Sequence, residues 1–299
     1  MGIKPRPIKG GTMRQVDLGE IPGPILIFGG AYSNLQATQA VIAAAQTHGI
    51  PAERCIFTGD SIAYCGNPSE TLNLLRDFGC PMIKGNCEIE LAAGSDTCGC
   101  GFEAGSTCDL LSRGWYAFAN QQVSADQRQF MGSLPDHLIF THYGKLYIVL
   151  HGGFSHVSQF LFPTTPDQDF VNVIREIERD LGAFDGVISS HSGIPFQKFI
   201  QGVTWFNSGA IGMPAHNGAS TTSYGILDAG SFTIHDLSYD HQTAQNAMIN
   251  AGLDHPQIRS ICQEMRVKGM ADGVRRHDTC INTRMNGPVF DVLVKPVAR

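Results

Sequence analysis

The sequence predicts an α/β fold, and three observations predict it. Short apolar runs alternate with helical patterns between residues 25 and 86. Each run ends in glycine or a polar residue. From residue 137 onward the texture changes to paired short runs separated by turn residues. Strand–helix–strand alternation builds a parallel sheet, and open α/β sheets place ligands at the carboxyl ends of their strands. The later hairpins add antiparallel strands.

Residues 1–23 lack periodicity, contain Pro5, Pro7 and Pro22, and read as an extended arm. Ile25–Phe28 is a buried strand that enters a turn at Gly29-Gly30. Leu35 to His48 carries a helical pattern that Gly49 and Pro51 stop. Cys55–Thr58 is a second strand ending at Gly59-Asp60. Pro68 to Phe78 is a helix with proline at its start and Gly79 beyond its end. Met82-Ile83-Lys84 is a third short strand ending at Gly85-Asn86. Residues 94–108 are rich in Gly, Ser and Cys and read as an inserted loop. Helices fit Asp109–Ala119 and Ala125–Gly132. His137–Thr141 and Leu146–Leu150 form a hairpin that ends at His151-Gly152. Phe170–Leu181 is an amphipathic helix, and Gly186–Ser189 is a strand ending at Ser190-His191. Lys198–Phe206, Ser223–Leu227 and Ser231–Leu237 are antiparallel strands. Ala244–Gly252 and Gln257–Val267 are helical. The chain divides into an arm at 1–23, one domain at 24–237 and a helical extension at 238–299.

Composition narrows the function classes. Of 299 residues, 42% are hydrophobic and only 16% charged, which excludes a disordered chain and a coiled coil. The formal net charge is −6, with no basic stripe, so general nucleic-acid binding is not expected. No stretch holds 18 consecutive apolar residues, and the basic N-terminal stretch has no apolar core after it. No membrane association and a cytoplasmic location are expected. In a reducing compartment the nine cysteines read as buried thiols, metal ligands or reactive groups rather than disulfides.

Five polar turns follow apolar strands: Gly30-Ala31-Tyr32-Ser33-Asn34, Gly59-Asp60, Gly85-Asn86-Cys87-Glu88, His151-Gly152 and Ser190-His191-Ser192-Gly193. Singly, each reads as a turn. Together they project an Asp, an Asn and two His from strand ends, a mixed oxygen and nitrogen set suited to a divalent transition metal.

In that order the chain resembles the calcineurin-like metallophosphoesterases, especially their small bacterial branch. The family pattern runs Asp-x-His-Gly-Asn, Gly-Asp-x-x-x-Tyr, Gly-Asn-His-Asp, His-Gly and Gly-His-x-His. Phe206-Asn207-Ser208-Gly209-Ala210-Ile211-Gly212 looks like the family's Asn-Pro-Gly-Ser-Val-Gly stretch, and the resemblance spans residues 24–237. It implies a four-layer α/β/β/α sandwich of two mixed sheets flanked by helices, and a two-metal site that clamps a phosphate ester.

The departures from the pattern fall on one side. The family's first metal ligands align with Gly30, Tyr32, Asp60 and Gly193, so three of four are replaced. The second metal's ligands align with Asp60, Asn86, His151 and His191, and all four remain. The resemblance therefore implies one divalent ion, Mn, Fe or Zn, in the retained half. Tyr32 is larger than His; it fills the vacated pocket or donates a hydrogen bond to a phosphate. Cys87 stands where the family has a catalytic His. A thiol is a poor acid near pH 7, but a thiolate binds soft metals. Asn34 matches the family's phosphate-contacting Asn. Glu88 stands for an Asp whose usual partner, that His, is absent.

Cys87, Cys98, Cys100 and Cys108 form a second candidate group, either thiolate ligands or free thiols. The expected activity is hydrolysis of a small-molecule phosphate ester by a divergent phosphatase. Asp60, Asn86, Cys87 and Tyr32 are the candidate catalytic residues. The alternative is a non-catalytic protein that holds a metal and a phosphorylated ligand or partner. The C-terminal extension could mediate a homodimer.

Overall fold

The computed structural model describes residues 6–7, 14–101, 107–215 and 219–253. Its strands form two mixed sheets. The seven-stranded sheet runs β1 (Arg6–Pro7), β2 (Gln15–Glu20), β5 (His137–His142), β6 (Lys145–Val149), β7 (Gly186–Ser189), β9 (Val203–Ser208), β8 (Pro195–Ile200). The four-stranded sheet runs β11 (Ser231–Leu237), β10 (Thr222–Asp228), β3 (Ile25–Phe28), β4 (Cys55–Phe57). The pairs β3–β4, β6–β7 and β7–β9 are parallel.

Side-chain alternation along β3 explains the layering. Ile25 and Ile27 point into a core shared with Phe140, Tyr147, Val149 and Phe206 of the larger sheet. Leu26 and Phe28 point the other way, onto Val41 and Ala45 of α1 (Leu35–Thr47) and Leu75 of α2 (Pro68–Phe78). On the far face of the larger sheet, Phe170, Ile174 and Ile177 of α6 (Asp167–Leu181) pack on Ile148, Val187 and Trp205. The order helices, small sheet, large sheet, helix is the four-layer sandwich the sequence implied. A further cluster joins α3 (Asn86–Ala93), α4 (Thr107–Gln122), α5 (Ala125–Ser133) and α7 (His241–Asn250) around Trp115, Tyr116 and Met248.

Several elements differ from expectation. Residues 15–20, read as part of an arm, form β2, parallel to β5. Met82 makes only an isolated bridge to Phe57, because Pro81 and Gly85 leave no room for a longer ladder. The stretch from 198 to 206 is not one strand. It is the hairpin β8–β9, turning at Gln201 and Gly202 with φ values of 49° and 89°. Helix α3, not foreseen, starts at Asn86 itself. The helix expected at 257–267 and most of the extension lie outside the described residues. No described helix is long and apolar enough to cross a membrane.

Candidate metal centre

Asp60 follows β4, Asn86 opens α3, His151 follows β6 and His191 follows β7. The carboxyl ends of strands from both sheets therefore meet at one place. The ligand atoms of Asp60, His151 and His191 lie within 4.8 Å of one another, and all three residues are buried. His151 Nε2 is 3.2 Å from Asp60 Oδ2 and 3.0 Å from His191 Nδ1. Cys87 N donates to Asp60 Oδ1 at 3.2 Å, which sets the first turn of α3 beside the carboxylate.

The outer contacts fix each group. His151 Nδ1 lies 2.8 Å from the Thr58 carbonyl, an acceptor only, so Nδ1 carries a proton and Nε2 is the atom that faces Asp60 and His191. Ser190 Oγ donates to the same carbonyl at 2.7 Å. The Phe160 ring packs 4.3 Å from His191 and holds the plane of that imidazole. Asn86 Nδ2 donates to the Cys98 carbonyl at 2.8 Å. Its Oδ1 is buried with no hydrogen-bond partner among the described residues. A buried acceptor without a donor suits a cation ligand. A carboxylate, an amide oxygen and two imidazoles could hold one Mn, Fe or Zn ion. At Gly85 an added Cβ would stand 2.8 Å from His151 Cε1, so glycine there permits the close approach.

Glu88, whose purpose the sequence left open, is a clamp. Its Oε2 accepts from Asp60 N at 2.8 Å and Gly85 N at 2.7 Å. Its Oε1 accepts from Ser61 N at 2.6 Å and Ser61 Oγ at 2.5 Å. Asp60 has φ +62°, a left-handed backbone unusual for a residue other than glycine. The Glu88 carboxylate ties that turn to the start of α3. Burial and the Asp60 charge raise its pKa, against the donors of Ser61 and Gly85. Burial also works to raise the Asp60 pKa, but His151 and then His191 outweigh it and bring it below the ordinary carboxylate value. Burial lowers the His151 pKa, and Asp60 outweighs that in turn, leaving it raised.

Tyr32 and Ala210 crowd positions 30 and 193, where the resemblance aligns the ligands of the other metal. A Cβ built at Gly30 would stand 2.8 Å from both Tyr32 Cζ and Ala210 Cβ, and one at Gly193 would be 3.5 Å from the Tyr32 hydroxyl. The phenol thus lies where side chains of residues 30 and 193 would project. It stacks edge-on against Tyr64, with centroids 5.0 Å apart. Burial, with Tyr64 and Asp60 beside it, raises the Tyr32 pKa well above its usual value. Burial does the same to the Cys87 thiol.

Two assignments meet different surroundings. The side chain of Asn34, the expected phosphate contact, makes two hydrogen bonds within the fold. Oδ1 caps α1 by accepting from Ala37 N at 3.0 Å, and Nδ2 donates to the Gly212 carbonyl at 3.0 Å. Cys98 and Cys100, expected as thiols, are joined by a disulfide. Gly99 between them has φ +59° and brings their Cα atoms to 5.3 Å, within disulfide range. The side chain of Cys108 lies outside the described residues.

No family model matches the chain. An uncharacterized protein of Methanocaldococcus jannaschii is 25% identical over 244 residues, 75% of this chain and 91% of that protein. A metallophosphoesterase from Sphaerobacter thermophilus superposes with a TM-score of 0.63 at 20% identity, covering 82% of this chain and 100% of its own. A hypothetical protein from Pyrococcus horikoshii gives a TM-score of 0.65 at 14% identity, covering 84% of this chain and 100% of its own. With the strand ends that carry Asp60, His151 and His191 meeting at one centre, the chain has the metallophosphoesterase fold.

Proposed function

We propose that the protein is a metal-dependent phosphoesterase working through a single ion held by Asp60, Asn86, His151 and His191. The observation that carries this reading is the convergence of Asp60, His151 and His191 within 4.8 Å at the carboxyl ends of strands. Bound there, a divalent ion polarises a phosphoryl oxygen and acidifies water. The protein supplies the rest. Glu88 holds the Asp60 turn, Thr58 fixes the His151 tautomer, and Phe160 with His191 walls the site. Tyr32, a neutral phenol at neutral pH, is a hydrogen-bond donor at the place a second ion would otherwise take. Loss of a second ion's charge predicts slow hydrolysis of a small phosphate ester.

The test is manganese stoichiometry together with turnover of p-nitrophenyl phosphate and its bis ester. One tightly bound ion per chain and slow, manganese-dependent hydrolysis are expected, both lost in His151→Ala. Two ions at full occupancy would overturn the single-ion reading. A second reading, a non-catalytic protein that uses the same ion to hold a phosphorylated ligand, is favoured by the crowding of positions 30 and 193 by Tyr32 and Ala210. It would be established by one bound ion with no turnover of either ester.

A further inference from the structure

The cysteine turn after α3 carries chemistry that the metal reading leaves unused. The disulfide joins Cys98 to Cys100, and Cys55, Cys80 and Cys87 carry thiols. Three contacts tie this turn to the candidate centre. Asn86 Nδ2 donates to the Cys98 carbonyl at 2.8 Å and lies 3.4 Å from Cys100 Sγ. The same nitrogen is 3.5 Å from Cys87 Sγ. On the opposite side, the Ser158 hydroxyl donates to the Gly99 carbonyl, which joins the turn to the loop that follows His151. Within the turn, Cys100 N donates to Cys98 Sγ at 3.3 Å.

The bonded pair therefore shapes the carbonyl and the sulfur that grip the amide end of Asn86. Gripping the nitrogen fixes the opposite atom, Oδ1, the buried acceptor with no partner among the described residues. Cys98 and Cys100 are themselves buried, between exposed Asp96 and Thr97 and half-buried Gly99, so exchange with a small thiol proceeds through local opening of this turn.

We propose that Cys98–Cys100 is a reversible dithiol–disulfide site, exchanged by low-molecular-weight thiols and disulfides, whose oxidised form orients Asn86. One cysteine thiol loses its proton and attacks a small disulfide, forming a mixed disulfide and expelling one thiolate, which takes up that proton. The second cysteine loses its proton, attacks the mixed disulfide and expels the second thiolate, which is protonated in turn. Two electrons and two protons leave the protein, and two small thiols are made. Asn86 is a positioned ligand and the cysteine pair acts through it. The effect on the ion rests on the proposed function; the effect on Asn86 does not.

The test uses the full chain in glutathione buffers of stepped ratio. Alkylation and mass spectrometry of the peptide that contains both cysteines give the oxidised fraction. The 15N side-chain amide resonance of Asn86, assigned through Asn86→Ala, is followed without metal, and manganese binding is titrated separately. The expected result is a reversible transition in which the Asn86 amide moves with the oxidised fraction. The oxidised form then binds manganese roughly 10- to 100-fold more tightly than the reduced form, the usual size of an outer-shell effect. Cys98→Ser with Cys100→Ser should match the reduced form and ignore the buffer. A pair that never oxidises, an Asn86 amide indifferent to its state, or equal manganese affinity in both forms overturns the inference. If neither form binds manganese, the proposed function fails and the amide readout alone decides the redox site.

Discussion

At the residue scale, Glu88 shows what a sequence conceals. Asp60, His151 and His191 are legible as polar residues ending apolar runs. Glu88 is not, because apart from Gly85 N its partners are Asp60 N and the N–H and hydroxyl of Ser61, 28 and 27 positions earlier in the chain. Glu88→Gln keeps its size but sets an amide N–H₂ against backbone donors. About 2 kcal/mol of stability should be lost, the usual range for an unsatisfied buried group being about 1–3. Manganese affinity should fall roughly 10- to 100-fold as the Asp60 turn loosens. Urea unfolding and manganese titration measure the two effects, and an unchanged denaturation midpoint would remove the clamp from the account. Tyr32 supports a second prediction. Restoring ligands by Gly30→Asp with Tyr32→His is not enough, since Ala210 Cβ would still stand 2.8 Å from a Cβ at position 30. Only the triple change that adds Ala210→Gly should raise the stoichiometry to two ions. The double change should unfold earlier than wild type, because it also forces a side chain onto φ +55°. A second ion in the double variant would show that Ala210 yields more easily than this packing allows.

At the element scale, what the sequence made legible tracks how local the signal is. Helices α1 and α2 carry their own stop signals, such as Gly79 in the left-handed conformation at φ +74°. Strands β3 and β4 are continuous apolar runs. The missed strands lack local signals. The β8–β9 turn uses Gln201-Gly202 rather than Asn-Gly, and β2 is a strand only because β5 lies beside it. Helix α5 offers a test of a local device with a tertiary extension. Ser124 and Gln127 form a reciprocal capping box, with Gln127 N donating to Ser124 Oγ at 3.2 Å and Ser124 N to Gln127 Oε1 at 3.0 Å. Gln127 Nε2 also reaches Ser69 Oγ at 2.8 Å and Asn73 Oδ1 at 2.9 Å on α2. Ser124→Ala should cost about 1 kcal/mol, the ordinary value of an N-cap. Gln127→Ala should cost more, since it frees α2 as well. Denaturant midpoints rank the pair, and equal losses would mean that the bridge to α2 adds nothing.

At the scale of the whole molecule, packing rather than charge holds the layers. The ion pairs Lys84–Asp136, Arg76–Asp126 and Lys198–Asp167 are partly or largely exposed, and such pairs contribute little. Acid sensitivity then arises from buried titratable groups, and His137 is the clearest. It begins β5 in the larger sheet, opposite Gln15 of β2, and stacks on Phe154 with centroids 4.6 Å apart. Burial pushes its pKa down from 6.5 to about 4. At neutral pH the imidazole is uncharged whether the chain is folded or not. As the pH falls below 6.5 the unfolded chain takes up a proton that the folded protein refuses until about pH 4. Stability is therefore lost across that window and levels off beneath it, by roughly 3 kcal/mol at about 1.4 kcal/mol per pH unit. The raised pKa of His151 has the opposite sign, adding stability that is complete below 6.5 and lost as the pH rises through its folded value. A comparison with His137→Gln cancels that contribution, because His151 is present in both proteins. The variant has no group that titrates at this position. Urea unfolding at pH 8, 6, 5 and 4 should give a stability difference, wild type minus variant, that falls steadily with acid. A difference that stays constant with pH would mean that His137 takes up its proton as readily folded as unfolded, and that the core around Phe154 admits the charge.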